Sequence, residues 1–251
     1  RLYLRSQVMD LNGRRSEASL TQAPGTDVDR AAVQKGEPTH LFSPTGFLDE
    51  TWWHRSYWVY GRSFAEGAGG WPQAGKVAPS GRILAVDDTT VYGFGRKPIY
   101  YQWRTPMEYH LFASPRDPEI LRETVEGQAP GRAKPKRQIV QHPEYRWSRQ
   151  VPMLVRAMVK AGDTLFIAGP PDVLDEEQAF QRVGDPGLAG QLAAQEAALS
   201  GQQGALLWAV SAATGETVCE QQLDEIPRFD GLIAAQGHLY LVTEDGTVQC
   251  R

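Results

Sequence analysis

The residues best suited to chemistry in this chain lie in one short stretch: Trp52, Trp53, His54, Arg55, Tyr57, Trp58 and Tyr60, with Trp71 beyond. Five aromatic side chains within nine residues stand far above the chain's aromatic content of 10%. Flat rings of this kind bind sugar rings, quinones or the surface of a partner protein, and Arg55 could hold an anion or stack on a ring. In an extended strand, Trp52, His54 and Trp58 would share one face, and Trp53, Arg55, Tyr57 and Val59 the other. The candidate binding residues are therefore Trp52, Trp53, His54, Arg55, Tyr57 and Trp58. The competing reading is that these rings simply pack between sheets.

No catalytic set can be assigned. His54 with His110 or His40 has the right ligand chemistry for a metal, but the sequence separations give no support, so no metal site is expected. Cys219 and Cys250 lack the CxxC spacing of a zinc or redox site and are read as two half-buried thiols on strands. Gly93-Phe94-Gly95-Arg96-Lys97 lacks the third glycine and the following helix of a phosphate-binding loop. It reads as a strand bulge or a close approach of blades. There is no GxSxG elbow, HExxH helix or Walker loop.

Charge and hydropathy exclude other classes. Thirty acidic residues nearly cancel twenty-six basic ones, and a net charge of -4 lacks the positive field of a general nucleic-acid binder. No window approaches the ~18 consecutive apolar residues that a membrane span needs. The basic run Arg132, Lys134, Lys136 and Arg137 has no interleaved aromatics and reads as a solvated loop, whereas Asp172, Asp175, Glu176 and Glu177 suit a helix start.

The elements that must position these residues announce themselves by repetition. Tyr92, Phe166 and Tyr240 each centre a short apolar run and are spaced by 74 residues. Upstream of each lies another β-type run: Ile83 to Val86, Val155 to Val159 and Leu232 to Ala235. The residues between are turn formers, namely Asp87-Asp88, Ala161-Gly162-Asp163 and Gln236-Gly237. Each copy is expected to be a hairpin. Arg1-Leu2-Tyr3-Leu4 resembles His238-Leu239-Tyr240-Leu241, as though the chain starts inside one copy and stops inside another.

Repeated antiparallel units predict an all-β, β-propeller-like fold, taken as one domain over 1–251 with about three to four blades of a longer propeller. Residues 13–37 and 115–137 read as loop insertions. Residues 175–200, with Leu188, Leu192, Ala193, Glu196 and Leu199, read as a short helical insertion.

The run from Gly204 to Glu216, containing Leu207-Trp208-Ala209 and Ala213-Thr214-Gly215, resembles the blade motif of the quinoprotein, or PQQ-like, repeat family. The following stretch, from Phe229-Asp230-Gly231 through Asp245-Gly246-Thr247-Val248, is similar to the opening of the next such blade. Trp208, Ala209, Thr214, Gly215, Asp245 and Gly246 are the repeat-motif positions. Ser211 stands where that motif has Asp, and Cys219 where it has the closing Trp, which would weaken the tryptophan docking that links blades in that family. The segment from His40 to Tyr60 resembles large bacterial members of planctomycete type.

The resemblance implies a periplasmic or otherwise extracytoplasmic location. It also implies two uses of the fold: a pyrroloquinoline quinone and calcium oxidoreductase, which uses adjacent cysteines that this sequence lacks, or a non-catalytic scaffold. The expectation is a non-catalytic module that needs no cofactor and binds a protein or polysaccharide partner through the aromatic surface. A purely structural scaffold is the further alternative. Remaining blades of a parent chain, or another subunit, would cover its ends.

Overall fold

In the computed structural model, residues 2–4, 7–14, 39–42, 58–61, 75–97, 109–127, 136–175, 178–179 and 182–251 are described. Among the described residues the chain is mostly β, with α-helix confined to the segment 178–199, and its strands form antiparallel meanders.

Sheet A comprises β6 (Ile83–Val86), β7 (Thr90–Arg96), β8 (Tyr109–Pro115) and β11 (Trp147–Arg149), hydrogen-bonded in that order. Sheet B is β12 (Ala157–Ala161), β13 (Thr164–Gly169), β14 (Ala205–Ser211) and β15 (Thr217–Leu223). Sheet C has three strands, β16 (Pro227–Ala235), β17 (His238–Thr243) and β18 (Val248–Cys250). Earlier in the chain, β1 (Leu2–Leu4) pairs with β2 (Gln7–Met9). A further sheet joins β3 (His40–Phe42), β4 (Trp58–Gly61) and β5 (Ser80–Gly81).

The 74-residue spacing is a spacing of ladder positions. Ala85 pairs with Tyr92, Val159 with Phe166 and Ile233 with Tyr240, so the three hairpins share one register. Each closes through two residues. In the third, Gln236 and Gly237 have φ of 52° and 78°, the left-handed pair that matches the twist of the flanking strands.

Alternation along these strands buries apolar residues of β13 and β14 on both sides of sheet B, while the outer strand β15 is largely exposed. Leu165, Ile167 and Val210 face sheet A and cluster with Tyr92, Phe94 and Leu111. Ala168, Ala205 and Leu207 face the other way and cluster with Leu232, Leu239 and Leu241 of sheet C. Each fully buried leucine of this kind contributes roughly 1.5–3 kcal/mol. The inner strand β12 lies beside β6 on one flank and β16 on the other, so successive sheets stack through equivalent edges.

Two insertions interrupt this order. The helix α1 (Leu188–Leu199) falls inside the expected segment 175–200. Its buried Gln195 accepts the Val173 and Leu174 amides at 2.8 and 3.0 Å, which ties the helix to the chain leaving β13. Residues 115–137, read from sequence as loop, instead contain β9 (Ile120–Gly127), which pairs with β10 (Lys136–Pro143) over eight positions. The described β9 side chains are largely exposed, so the backbone ladder rather than burial defines this hairpin and leaves little apolar periodicity. Of the 13–37 insertion, only residues 13–14 are among those described.

Candidate functional site

Sheets A and B are joined by an indole. Trp147, on the outer strand β11, is 8% exposed and donates Nε1–H to the Ala212 carbonyl at 2.9 Å. Its ring lies against Gly215 in the β14–β15 turn, where φ is +73° and an added Cβ would sit 2.6 Å from Trp147 Cε3. Arg149 follows on the same face, donating Nε–H to the Thr214 carbonyl at 3.3 Å. Gly215 is therefore required twice, for its left-handed backbone and for the space it leaves. The motif positions Thr214 and Gly215 thus act as the seat for a tryptophan from the preceding sheet. Trp147 itself was not singled out in the sequence, where the three-residue strand Trp147–Arg149 is too short to show alternation.

The ladder registers identify what stands in the same place one sheet later. Tyr92 pairs with Ala113 and Ala113 with Trp147; Phe166 pairs with Ala209 and Ala209 with Cys219. Cys219 is therefore the structural equivalent of Trp147. By the same reading Leu207 matches Leu111 and Gln221 matches Arg149. Where sheet A presents an indole to sheet B, sheet B presents a thiol to sheet C.

At that corner the structure holds a half-open crevice of about 620 Å³. Its sheet B wall is made by Phe166, Leu207, Ala209, Cys219 and Gln221. The facing wall is the β16–β17 turn from Ala234 to Leu239, with Arg251 at the margin. The lining is mainly apolar carbon, and Thr164, Gln221 and Gln236 supply hydrogen-bonding groups.

Charges are fixed near the corresponding ends of the hairpins. Lys160 Nζ lies 3.1 Å from Asp87 Oδ2 and 5.8 Å from the Tyr92 ring centroid, bridging sheets B and A. Burial pushes the Asp87 carboxyl up, but the Thr89 amide, the Lys160 ammonium and the Thr90 amide outweigh it and hold it at about 2. Lys160→Met should lower stability by about 1 kcal/mol at pH 7. A group whose folded pKa is depressed stabilises above its unfolded value, so the loss should shrink as pH falls from about 4 towards 2. Urea melts of both proteins at pH 7 and pH 2.5 check this.

Compared with known proteins, the chain matches no family model and no curated protein.

The positions expected from sequence distribute as follows. Trp52, Trp53, His54, Arg55 and Tyr57 lie outside the described residues. Trp58 opens β4, half-buried and paired with Gly81, and Val59 beside it is fully buried. Trp208 packs against the apolar cluster between sheets A and B, and its Nε1–H meets no acceptor among the described residues. Ala209 turns the other way, onto the crevice.

Asp245 and Gly246 form the β17–β18 turn. There Asp245 accepts the Thr243 and Thr247 hydroxyls at 2.6 and 2.7 Å, which holds its carboxyl at about 2. Gly93 lies in unbroken β7 rather than at a bulge, and an added Cβ would meet Phe112 Cζ at 2.4 Å, so the crowding comes from its paired strand within sheet A and not from a neighbouring sheet.

His110 is a core residue rather than a ligand. It is 2% exposed, its Nδ1 lies 2.7 Å from Ser148 Oγ, and its ring meets Phe112 and Tyr145 at 4.9 and 5.2 Å. Burial is the main cause holding its pKa down at about 3, with Lys97 and His142 adding to it. Among the described residues no three His, Cys, Asp or Glu side chains converge as a metal set.

The two cysteines are exposed, not half-buried as expected. Cys219 pairs with Ala209 on the face towards sheet C. Cys250 pairs with Tyr240, on the face of sheet C opposite Leu239 and Leu241. Both sit where the neighbouring strand or sheet leaves a margin uncovered. Cys219 lies on sheet B and Cys250 on sheet C, so the two are adjacent neither in sequence nor on one strand.

Proposed function

We propose that this chain is a run of blades from a quinoprotein-like β-propeller that serves as a non-catalytic, extracytoplasmic binding module. The observation that carries this reading is the stacking of four-stranded meanders in one repeated register, tied by a tryptophan docked on the next sheet's Ala213-Thr214-Gly215 turn. Such stacking supplies a rigid frame whose loops and margins are free to bind, which is how repeat folds commonly work.

The aromatic stretch from Trp52 to Trp58 is the surface assigned to a polysaccharide or protein partner, with Trp58 anchored at the start of β4. Trp53→Ala with Trp58→Ala should abolish retention on immobilised soluble polysaccharides such as xylan, dextran or alginate, leaving the thermal melt within a few degrees of the parent. Equal retention by parent and variant, or no retention by the parent on any of them, would count against this surface.

In the alternative reading the chain is part of a quinoprotein oxidoreductase whose cofactor residues lie outside it; the chain itself has no adjacent cysteines and is not expected to hold the quinone alone. Titration with pyrroloquinoline quinone and calcium should therefore give no saturable change in quinone absorbance, and saturable binding would favour that reading.

A further inference from the structure

A further cavity lies between sheets A and B, where the chain leaves β13 for α1, and we infer that it binds a small organic cation, a primary ammonium group on a short apolar chain. The inference does not rest on the partner assigned above. The cavity measures about 470 Å³. Its walls are the β11–β12 connection from Gln150 to Pro152 and the segment from Asp172 to Asp175, with Tyr109 at the start of β8. The Asp172 amide donates to the Pro152 carbonyl at 3.1 Å, Met153 bridges to Pro171, and Gln195 of α1 holds the Val173 and Leu174 amides, so the walls are fixed to each other. Both framing sheets are four-stranded and pack on each other directly, so the space is not an uncovered sheet face.

The two carboxylates differ in what holds them. Asp175 accepts the Gln178 backbone and side-chain amides at 2.8 and 2.7 Å. No donor among the described residues reaches Asp172 Oδ1, which is also shut off from solvent. Burial first, and the Asp175 charge second, push the Asp172 carboxyl above its ordinary value, with no hydrogen bond or cation opposing them. No described Lys, Arg or His lines the cavity. Arg96 stands over the Tyr109 ring instead and donates Nε–H to its hydroxyl at 3.3 Å.

A cation in the cavity supplies the missing balance. A bare calcium ion fits poorly, because it takes about six to eight oxygen ligands, whereas Val151, Pro152, Val173 and Leu174 make much of the wall apolar. An ammonium group on a short alkyl chain meets both halves of the lining, donating to Asp172 and burying its methylenes against the rest. For a ligand this small, affinity in the millimolar range is expected.

Butylammonium chloride titrated into the 15N-labelled chain at pH 7 should move the amide signals of Val151, Val173 and Leu174 saturably, with half-saturation in the millimolar range. Butanol, similar in size but uncharged, should leave them in place. Absence of a saturable shift, or equal shifts with butanol, would overturn the inference, and so would calcium chloride moving the same signals at lower concentration. Asp172→Asn removes the charge at nearly constant volume. It should weaken butylammonium binding about tenfold yet melt no lower than the parent, because a shielded and repelled carboxylate gives way to a neutral group. A folded variant that binds butylammonium as the parent does would also overturn it. The titration uses the unaltered chain, so the inference stays testable if the variant does not fold.

Discussion

Replacing Trp147 by alanine is expected to cost about 3–5 kcal/mol, the range for emptying a buried large aromatic site. For a chain of this size that corresponds to a fall of roughly 10 °C in melting temperature. The effect is large because one side chain does three things. It fills the outer corner of the sheet A to sheet B core, satisfies the Ala212 carbonyl, and covers Gly215. Trp147→Phe keeps most of the apolar contact but removes the N–H, so its loss should be about 1–3 kcal/mol. Differential scanning calorimetry of the two variants separates these contributions. Equal losses would mean that the hydrogen bond, not the ring volume, dominates.

Acid sensitivity above the carboxylate range should come mainly from His110. Its folded pKa is depressed to about 3, so between about pH 6.5 and that value the unfolded chain binds a proton that the folded chain refuses. The neutral-imidazole stabilisation is present above pH 6.5 and is lost progressively as pH falls. Over the window from about pH 6.5 to 5 the loss should be roughly 2 kcal/mol, at about 1.4 kcal/mol per pH unit.

Asp87 and Asp245 do not contribute there, because both carboxyls stay ionised to about 2 and begin to destabilise only below about pH 4. His110→Phe removes the titration and gives up the Ser148 contact. It should be less stable than the parent at pH 7 but show a flatter stability profile between pH 7 and 5. Guanidinium melts at both pH values check this, and parallel profiles would show that His110 titrates normally.

Much of the secondary structure was legible because hairpins are local. Ile83–Val86 was read with its true bounds, and the two-residue turns at Gly162-Asp163 and Gln236-Gly237 follow from glycine's access to positive φ. The strand expected at Val155 begins at Ala157, because Leu154 and Arg156 donate to the Pro170 and Ala168 carbonyls before the regular ladder starts. The helical insertion was legible from its composition, with Leu188 and Ala198 among its buried residues.

What sequence did not disclose is non-local. The β9–β10 hairpin is held by backbone pairing and the described β9 side chains are largely exposed, so it leaves little hydrophobic signature. Trp147 gains its meaning only when ladder register sets it beside Ala113 and opposite Gly215. The exchange of tryptophan for Cys219 was visible in the motif, but the crevice it borders required both sheets to be in place.

The most direct test of the indole-linked stacking is a double-mutant cycle on Trp147 and Gly215. Gly215→Ala should be strongly destabilising in the parent, because its Cβ meets the Trp147 ring and its backbone is left-handed. In the Trp147→Ala background the ring overlap disappears, leaving the backbone cost of about 1 kcal/mol and a tight contact with Arg149 Cδ that this flexible side chain can relieve. A coupling energy above about 1 kcal/mol between these residues on different sheets is therefore expected. Additive losses, within about 0.5 kcal/mol, would mean that Trp147 does not dock on that turn and that the sheets are not joined as described.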